Sequence, residues 1–179
     1  MDKRDNLTSA DNQQERLHNI STNIGNYLSG FADGEGSFNI SLVKRNLDYR
    51  YGWKIVASFN ISQCDPTIPI LFKESLGCGT IRYRRDGVCY FEVRRINDLN
   101  IIVRNFFKEF PLRSERQAMR LGLLLKAIDL IAKGEHLNPK GFKDVLSIRE
   151  QMLNNRPRTY NMTYILKNPQ RLHARHQLR

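Results

Sequence analysis

Residues Tyr27–Phe38, YLSGFADGEGSF, join the end of a predicted helix to the start of a predicted strand through an acidic turn flanked by glycines. Four apolar residues recur at the helical spacing i, i+3, i+4, i+7 and predict the face that packs on the domain core: Ile24, Tyr27, Leu28 and Phe31. The other face is small and polar: Asn26, Ser29, Gly30 and Asp33. Surface helices usually carry long charged residues there, so this face predicts close packing against a second copy of the same helix.

The turn after this helix contains two acids, Asp33 and Glu35. At the negative end of a helix macrodipole each acid costs roughly a few tenths of a kcal/mol unless a cation offsets it. Gly34 and Gly36 let the backbone turn sharply. Two paired helices would bring two such ends together and offer oxygen ligands to a divalent metal. The alternative is a simple turn after a helix, which Asp-Gly often forms.

Composition favours a nucleic-acid partner. The chain has 29 basic and 18 acidic residues among 179, a net charge of +11, which favours a polyanion over a membrane. Its three cysteines, Cys64, Cys78 and Cys89, show no metal or disulfide spacing and predict reduced intracellular thiols. No apolar run reaches transmembrane length, so we expect no membrane partner, and no compartment signal is recognisable.

Hydrophobic periodicity predicts an α+β domain of order αββαββα, followed by extra C-terminal helices. The alternating strands are predicted at 37–45, 53–63, 80–85 and 88–95, and the helices at 22–33, 66–76, 97–110, 114–132 and 139–153. We expect a four-stranded antiparallel sheet with helices on one face. The predicted division is a flexible lead-in at 1–21, one domain at 22–154 and a basic tail at 155–179. Tyr160, Tyr164 and Ile165 indicate that part of the tail packs down, and its cations predict either phosphate contacts or a disordered extension.

Several local signals set the ends and faces of these elements. Asp65 is predicted as an N-cap before Pro66, and Asn97 or Asp98 as the cap of the next helix. Ser114, followed by Gln117, resembles a capping box. Inward-facing side chains are expected to include Ile81, Tyr83 and, on the long helix, Met119.

The sheet face turned away from the helices is predicted to carry hydrogen-bonding side chains of moderate length. Arginine, asparagine, serine and threonine can read base edges, and strands fit the major groove. An ordinary solvated sheet face is the alternative, but acids are scarce here, which favours DNA readout. The predicted DNA-contacting residues are Ser37, Asn39, Ser41, Arg45, Lys54, Ser58, Asn60, Ser62, Thr80, Arg82, Arg84, Tyr90, Glu92 and Arg94.

The motif YLSGFADGEGSF resembles the signature of the LAGLIDADG homing endonucleases, and its single copy resembles the homodimeric members. GTIRYRRDG and YFEVRRINDL resemble the second hairpin and the following helix start of that family. The resemblance covers roughly residues 22 to 132. It implies a saddle-shaped sheet over the major groove, with the motif helices of two subunits meeting at the dimer axis.

The resemblance also implies roles for individual residues. Glu35 matches the metal-binding acid and the Gly34 carbonyl the adjacent ligand, for Mg²⁺ or Mn²⁺, while Asp33 is expected to be structural at the helix–helix interface. Gln63 matches a residue that holds the attacking water, although a loop residue before a helix is the alternative reading. Where the family often has a catalytic lysine this chain has Ser114, so Arg113 or Arg116 is expected to supply the cation.

The resemblance implies a homodimeric, metal-dependent endonuclease that cuts double-stranded DNA at a long pseudo-palindromic site. The main alternative is a maturase that binds intron RNA without cutting DNA, and a second is a transcription regulator built on the same fold. Such proteins are encoded in introns, which implies an organelle (mitochondrion or chloroplast) or a bacterial or archaeal cytoplasm.

Overall fold

The computed structural model describes residues 20–45, 51–152 and 160–167. Most of the predicted lead-in at 1–21 and of the tail at 155–179 lies outside these ranges. The elements, numbered in chain order, are α1 Thr22–Glu35, β1 Ser37–Lys44, β2 Trp53–Gln63, α2 Thr67–Leu76, β3 Thr80–Tyr83, β4 Cys89–Val93, α3 Ile96–Asp98, a π-helical segment Leu99–Val103, α4 Arg104–Glu109, α5 Glu115–Ala132, a 3₁₀ turn Glu135–Leu137, α6 Pro139–Gln151 and α7 Met162–Lys167.

The four strands form one antiparallel sheet in the order β1-β2-β4-β3, which confirms the predicted fold class. β2 and β4 are therefore central, and each α-β-β unit contributes one central and one edge strand. Phe38 pairs with Phe59, which pairs in turn with Val93. Apolar residues thus lie opposite one another across the sheet, and the polar residues between them share the other face.

The core consists of two clusters on the helical side of the sheet. The main cluster contains Phe38, Phe59, Phe72 and Phe91, each 1% exposed or less, and the helices pack over it. A smaller cluster joins β2 to the C-terminal helices through Trp53, Phe142, Leu146 and Ile165. Ile165 is 2% exposed, which confirms that part of the predicted tail packs down.

Helix α1 buries a different face from the one that its apolar residues predict. The buried residues are Gly25, Leu28, Ser29 and Ala32, whereas Ile24 and Tyr27 are 37% and 51% exposed. The prediction that Ile24 and Tyr27 anchor the domain was therefore wrong. The close packing of Phe110 against the helix selects the small residues, because a Cβ on Gly25 would lie 2.3 Å from the Phe110 ring.

Residues 96–109 form a nearly continuous helical segment with a π-helical stretch in its middle. The predicted cap was wrong, since Arg95 occupies the N-cap position without a side-chain bond. Asp98 is instead buried beneath Arg95, whose Nε lies 3.8 Å from its carboxylate. A π turn contains one residue more than an α-helical turn. Within this stretch Leu99, Ile102 and Val103 are all buried.

Smaller differences occur where side chains reach an edge. Tyr83 and Met119 were expected inside but are 63% and 55% exposed, because β3 is an edge strand and Met119 lies on the face of α5 opposite the buried Gln117 and Leu121. The Asp65 carboxylate accepts from the Thr67 backbone N–H at 2.9 Å, although α2 begins one residue later than predicted. None of the helices in the described part of the chain has the length and apolarity needed to cross a membrane.

Candidate active site and nucleic-acid interface

Asp33 connects the end of α1 to the start of α5. Its carboxylate accepts from the backbone N–H of Arg113 at 2.6 Å and from that of Ser114 at 3.2 Å. A carboxylate is favoured here because the N-terminus of a helix has free N–H donors and a positive dipole end. Asp33 was predicted to join two subunits, but these contacts lie 80 and 81 residues away within its own chain.

Gln117 makes the reciprocal connection from α5 to the end of α1. It is 8% exposed, and its Nε2 donates to the carbonyls of Gly36 at 2.8 Å and of Ala32 and Asp33 at 3.4 Å. The Asp33 and Gly36 carbonyls lie at the end of α1, where intrahelical donors run out, whereas the Ala32 carbonyl also accepts from the Gly36 backbone N–H at 2.9 Å. Each of the two helix ends is therefore satisfied by a side chain from the other helix.

This exchange changes the predicted capping box at the start of α5. Ser114 is the N-cap, and its Oγ accepts from the Gln117 backbone N–H at 3.4 Å, as predicted. The return bond of a capping box would run from the Gln117 side chain to the Ser114 backbone. Asp33 occupies that backbone donor instead, which leaves the Gln117 side chain available to α1.

Glu35 is the last residue of α1, and its side chain is exposed. No hydrogen bond or ion pair joins it to another residue of the described ranges. Gly34 is also exposed, and a Cβ added to it would meet nothing within 4 Å. The described ranges hold no group of three or more His, Cys, Asp and Glu that could bind a metal. One copy of the chain thus offers a single carboxylate at this position.

The other predicted catalytic residues lie at the end of β2 and at the start of α5. Gln63 is half-buried at the end of β2, opposite Cys89. Arg113, whose backbone donates to Asp33, and Arg116 are exposed at the start of α5. Burial and the Arg116 charge both lower the pKa of the Arg120 guanidinium, one turn further along. The cationic cluster at this end of α5 therefore includes Arg120.

The open face is the side of the sheet turned away from the helices, and the strand register places the predicted DNA-contacting residues on it. One row across all four strands contains Ser37, Asn60, Glu92 and Thr80, and the next contains Ser62, Tyr90 and Arg82. Among the predicted DNA-contacting residues of this face, the exposed side chains are Asn39, Ser41, Arg45, Lys54, Thr80, Arg82, Arg84 and Arg94.

Three residues of the open face were expected to be exposed but are largely buried. Ser58, Asn60 and Glu92 are 5–6% exposed at the centre of the sheet. Glu92 is covered by Arg94, whose Nε lies 2.9 Å from its carboxylate. The one acid predicted on this face is thus neutralised by its neighbour. Arg84 pairs at 2.9 Å with Asp86 of the hairpin turn, whereas Arg82 and Lys54 have no carboxylate partner in the described ranges.

The exposed face of α1 is also small, and it shares Asn26 and Gly30 with the predicted face. Asn26 and Gly30 are exposed, and a Cβ on Gly30 would meet nothing within 4 Å. Ser29 is buried, and its Oγ donates to the Phe110 carbonyl at 2.8 Å, so Ser29 does not lie on this face. The exposed stripe of α1 is formed by Asn23, Asn26, Tyr27, Gly30 and Gly34.

Arg120 was not among the predicted site residues, and Gln117 was predicted only as the local partner of Ser114 in a capping box. Arg116 and Arg120 are spaced i, i+4 on one helix, a spacing that places like charges side by side. That spacing was a readable signal for a cationic site. Nothing in the local sequence indicates the partners of Gln117, because they lie at least 81 residues away.

Comparison with known proteins shows sequence relatives over most of the described chain. A family model described as LAGLIDADG endonuclease matches residues 28–121. An uncharacterized 50.9 kDa protein in ND4 intron 1 of Podospora anserina is 36% identical over 124 residues, or 67% of this chain and 27% of that protein. The probable intron-encoded endonuclease 2 of Neurospora crassa is 29% identical over 131 residues, or 72% of this chain and 27% of its own length. The chain spans about a quarter of the length of these two curated relatives.

Solved structures share the architecture. The homing endonuclease I-TnaI is 25% identical with a TM-score of 0.66, and the match covers 74% of this chain and 89% of that one. The LAGLIDADG homing endonuclease I-LtrWI, solved bound to target DNA, is 26% identical with a TM-score of 0.68, and the match covers 75% of this chain and 46% of that one. This chain thus corresponds to most of the first protein and to about half of the second.

Proposed function

Because the chain belongs to the LAGLIDADG endonuclease family, we propose that it is an intron-encoded, site-specific endonuclease that cuts double-stranded DNA with divalent metal as a homodimer. The observation that carries the proposal is the position of Glu35. Its exposed carboxylate ends the motif helix at the margin of a sheet face lined with basic and hydrogen-bonding side chains. A long pseudo-palindromic target follows from two identical faces related by two-fold symmetry.

The residues at the end of α1 fit a hard divalent cation. Oxygen ligands are what Mg²⁺ and Mn²⁺ prefer, and the C-terminal end of a helix favours positive charge. Glu35 and the Gly34 carbonyl would hold the ion, and DNA phosphates would complete its ligands. When bound, such an ion supplies charge neutralisation and activation of water for phosphodiester hydrolysis.

The chain's own groups perform the remaining tasks. The contacts of Asp33 and Gln117 fix the end of α1, so the backbone that carries Glu35 is held at a set position relative to α5. Arg113 and Arg116 bring positive charge to the same region, where a cation stabilises charge on a transferring phosphoryl group. Gln63, at the end of β2, would orient the attacking water through its amide.

The homodimer is inferred from the exposed stripe of α1. Small residues let two helix backbones approach closely, and the stripe contains Gly30 and Gly34, around which an added Cβ would find open space. Exposed Tyr27 and Ile24 add apolar surface beside them. Pairing of two such stripes would bring two Glu35 carboxylates together, one for each DNA strand.

The central test is substitution of the acid. Incubation with Mg²⁺ and a library of DNA duplexes is expected to give discrete double-strand cuts with the wild-type chain. Glu35→Gln should lower the cleavage rate by about a thousandfold or more, an estimate set by the loss of a metal ligand, while DNA affinity falls less than tenfold.

Glu74→Gln is the matched control, since Glu74 is an exposed acid on α2, on the helical side of the sheet. It should cut like the wild type. Equal cleavage by Glu35→Gln and Glu74→Gln would contradict the role of Glu35. Tight binding of intron RNA by a wild-type chain that leaves every duplex intact would favour the maturase alternative.

A further inference from the structure

A cavity of about 180 Å³ lies between the start of β2, the 3₁₀ turn and α6. Its apolar wall includes Ile55, Leu137 and Phe142. Phe142 is stacked on Tyr51 with ring centroids 4.5 Å apart and planes at 19°. An aromatic lining of this kind favours a flat, aromatic ligand.

Three polar atoms without partners belong to residues that line this cavity. Tyr51 Oη, Trp53 Nε1 and His136 Nδ1 are buried and have no hydrogen-bond partner in the described ranges. A buried polar atom left without a partner costs about 1–3 kcal/mol. Three such atoms around one cavity are explained when a bound molecule supplies the missing partners.

The three atoms differ in hydrogen-bonding character. The indole N–H of Trp53 can only donate, and the Tyr51 hydroxyl can do either. The imidazole of His136 is hydrogen-bonded to the Leu130 backbone, and burial lowers its pKa. The neutral ring then presents Nδ1 as an acceptor. A matching ligand has an acceptor and an N–H donor on its edge.

The volume of the cavity fits a ligand with a single six-membered ring. An engineered cavity of about 150 Å³ binds benzene, and this cavity is slightly larger. Water alone would satisfy the polar atoms but would leave Ile55, Leu137 and Phe142 wetted. A six-membered heterocycle with apolar faces and a polar edge satisfies both kinds of wall.

The charge of the molecule favours a ring that carries a phosphate. Lys54 contributes to the cavity wall from β2, but its side chain lies on the open face, on the other side of the sheet from Trp53 and Ile55. The net charge of +11 attracts anions to the whole molecule. We propose that this cavity binds the pyrimidine base of a nucleotide, either free or as an unpaired residue of a nucleic-acid strand.

The cavity is separate from the site proposed at Glu35. Trp53 begins β2 and Gln63 ends it, and an 11-residue strand spans roughly 33 Å. The proposal therefore does not depend on cleavage activity, and failure of one leaves the other intact.

The single tryptophan of the chain is Trp53, so its fluorescence reports on the cavity directly. Titration of the wild-type chain with uridine 5′-monophosphate is expected to quench this fluorescence saturably. The 3-methyluridine analogue, which lacks the ring N–H, should bind roughly tenfold more weakly, the effect of one lost hydrogen bond in a buried site. Ribose 5-phosphate should not quench. Equal quenching by ribose 5-phosphate or by the methylated analogue would overturn the proposal, as would absence of quenching by uridine 5′-monophosphate.

A matched pair of variants tests the protein side. Tyr51→Phe removes one unpartnered hydroxyl and should weaken binding of uridine 5′-monophosphate by roughly fivefold. Tyr83→Phe makes the same chemical change on the edge strand β3, outside the lining of the cavity, and should leave binding unchanged. Equal effects of the two would contradict the assignment. The methylated analogue tests the same point in the wild type if Tyr51→Phe fails to fold.

A final comparison identifies the source of the base. Binding of a uridine dodecamer at least tenfold more tightly than of the mononucleotide would assign the cavity to an unpaired nucleotide in a strand. Equal affinity would assign it to the free nucleotide. Adenosine 5′-monophosphate tests the size argument, since equally tight binding of this larger base would contradict a pyrimidine site.

Discussion

At the scale of single residues, Asp33 and Gln117 determine how the acidic end of α1 is held. Asp33 supplies the anionic cap for α5, and Gln117 supplies donors to the last carbonyls of α1. Without these two side chains, the start of α5 and the end of α1 would keep unsatisfied backbone groups close to the core. Glu35 lies two residues from Asp33 and has none of these contacts, so it remains available for a ligand.

Replacing Gln117 by Met keeps the length of the side chain but removes its donors. We expect the free energy of unfolding to fall by about 1–2 kcal/mol, because the buried carbonyls of Ala32 and Gly36 lose their side-chain partner. Urea denaturation measures the change. Gln151→Met, at the exposed end of α6, is the control and should change it by less than about 0.5 kcal/mol. Equal values for the two variants would contradict the role of Gln117.

At the scale of elements, α1 has two small faces with opposite surroundings. Gly25 lies against the Phe110 ring in its own domain, while Gly30 faces open space. An Ala in a helix interior is favoured over Gly by about 0.5–1 kcal/mol. The same substitution therefore has opposite consequences on the two faces.

Gly25→Ala should destabilise the folded chain, because its Cβ would overlap Phe110, by about 1–3 kcal/mol for an overpacked core. Gly30→Ala should leave the fold equally or slightly more stable but weaken self-association by about tenfold, since the Cβ separates paired helices. Thermal unfolding and sedimentation velocity measure the two effects. Unchanged self-association of Gly30→Ala would argue against α1 as the dimer contact.

The sheet is the second element with a testable role. Arg82 lies on the open face opposite Tyr90 and is exposed. If its guanidinium contacts one phosphate, Arg82→Ala should reduce the slope of log K against log salt by about 0.9 per subunit. Filter binding at several salt concentrations measures it. Lys143 is an exposed cation on α6, and Lys143→Ala should leave the slope unchanged. Equal slopes for the two variants would contradict a phosphate contact by Arg82.

At the scale of the whole molecule, one helical layer covers one side of the sheet and leaves the other side open. The buried side contains the aromatic core and two cysteines, Cys78 and Cys89. Burial raises the pKa of the Cys78 thiol from 9.0 to about 12, and the nearby Asp98 charge acts in the same direction. The thiol therefore remains protonated in the folded chain under conditions where the unfolded chain ionises.

This difference makes stability depend on alkaline pH. Between pH 9 and about pH 12 the unfolded chain has lost the Cys78 proton and the folded chain has kept it, so the free energy of unfolding decreases as pH rises. The contribution is at most about 1.4 kcal/mol per pH unit. Denaturation of the wild type and of Cys78→Ala between pH 8.5 and 10.5 should show a shallower decline in the variant. Parallel declines would mean that Cys78 ionises equally in both states.

The order of elements and the alternation of side chains along the strands could be read from the chain, because the repeats of 2.0 and 3.6 residues are set by local backbone geometry. The alternation in β1 and β2 placed Ser37, Asn39, Lys54 and Ser62 on the open face before any contact was known. The Ser114 cap depends on neighbouring residues and was equally readable. The predicted acidic turn was wrong, since α1 continues to Glu35 and both acids lie in its last turn.

Contacts between distant residues settled the rest. The buried face of α1 was chosen by Phe110, which accepts a hydrogen bond from Ser29 across 81 residues, and no local pattern in α1 encodes that partner. The position of Asp33 inside its own domain and the cavity around Trp53 arise in the same way. Hydrophobic periodicity indicates that a helix has two different faces. Close packing against distant residues in the folded chain decides which of the two is buried.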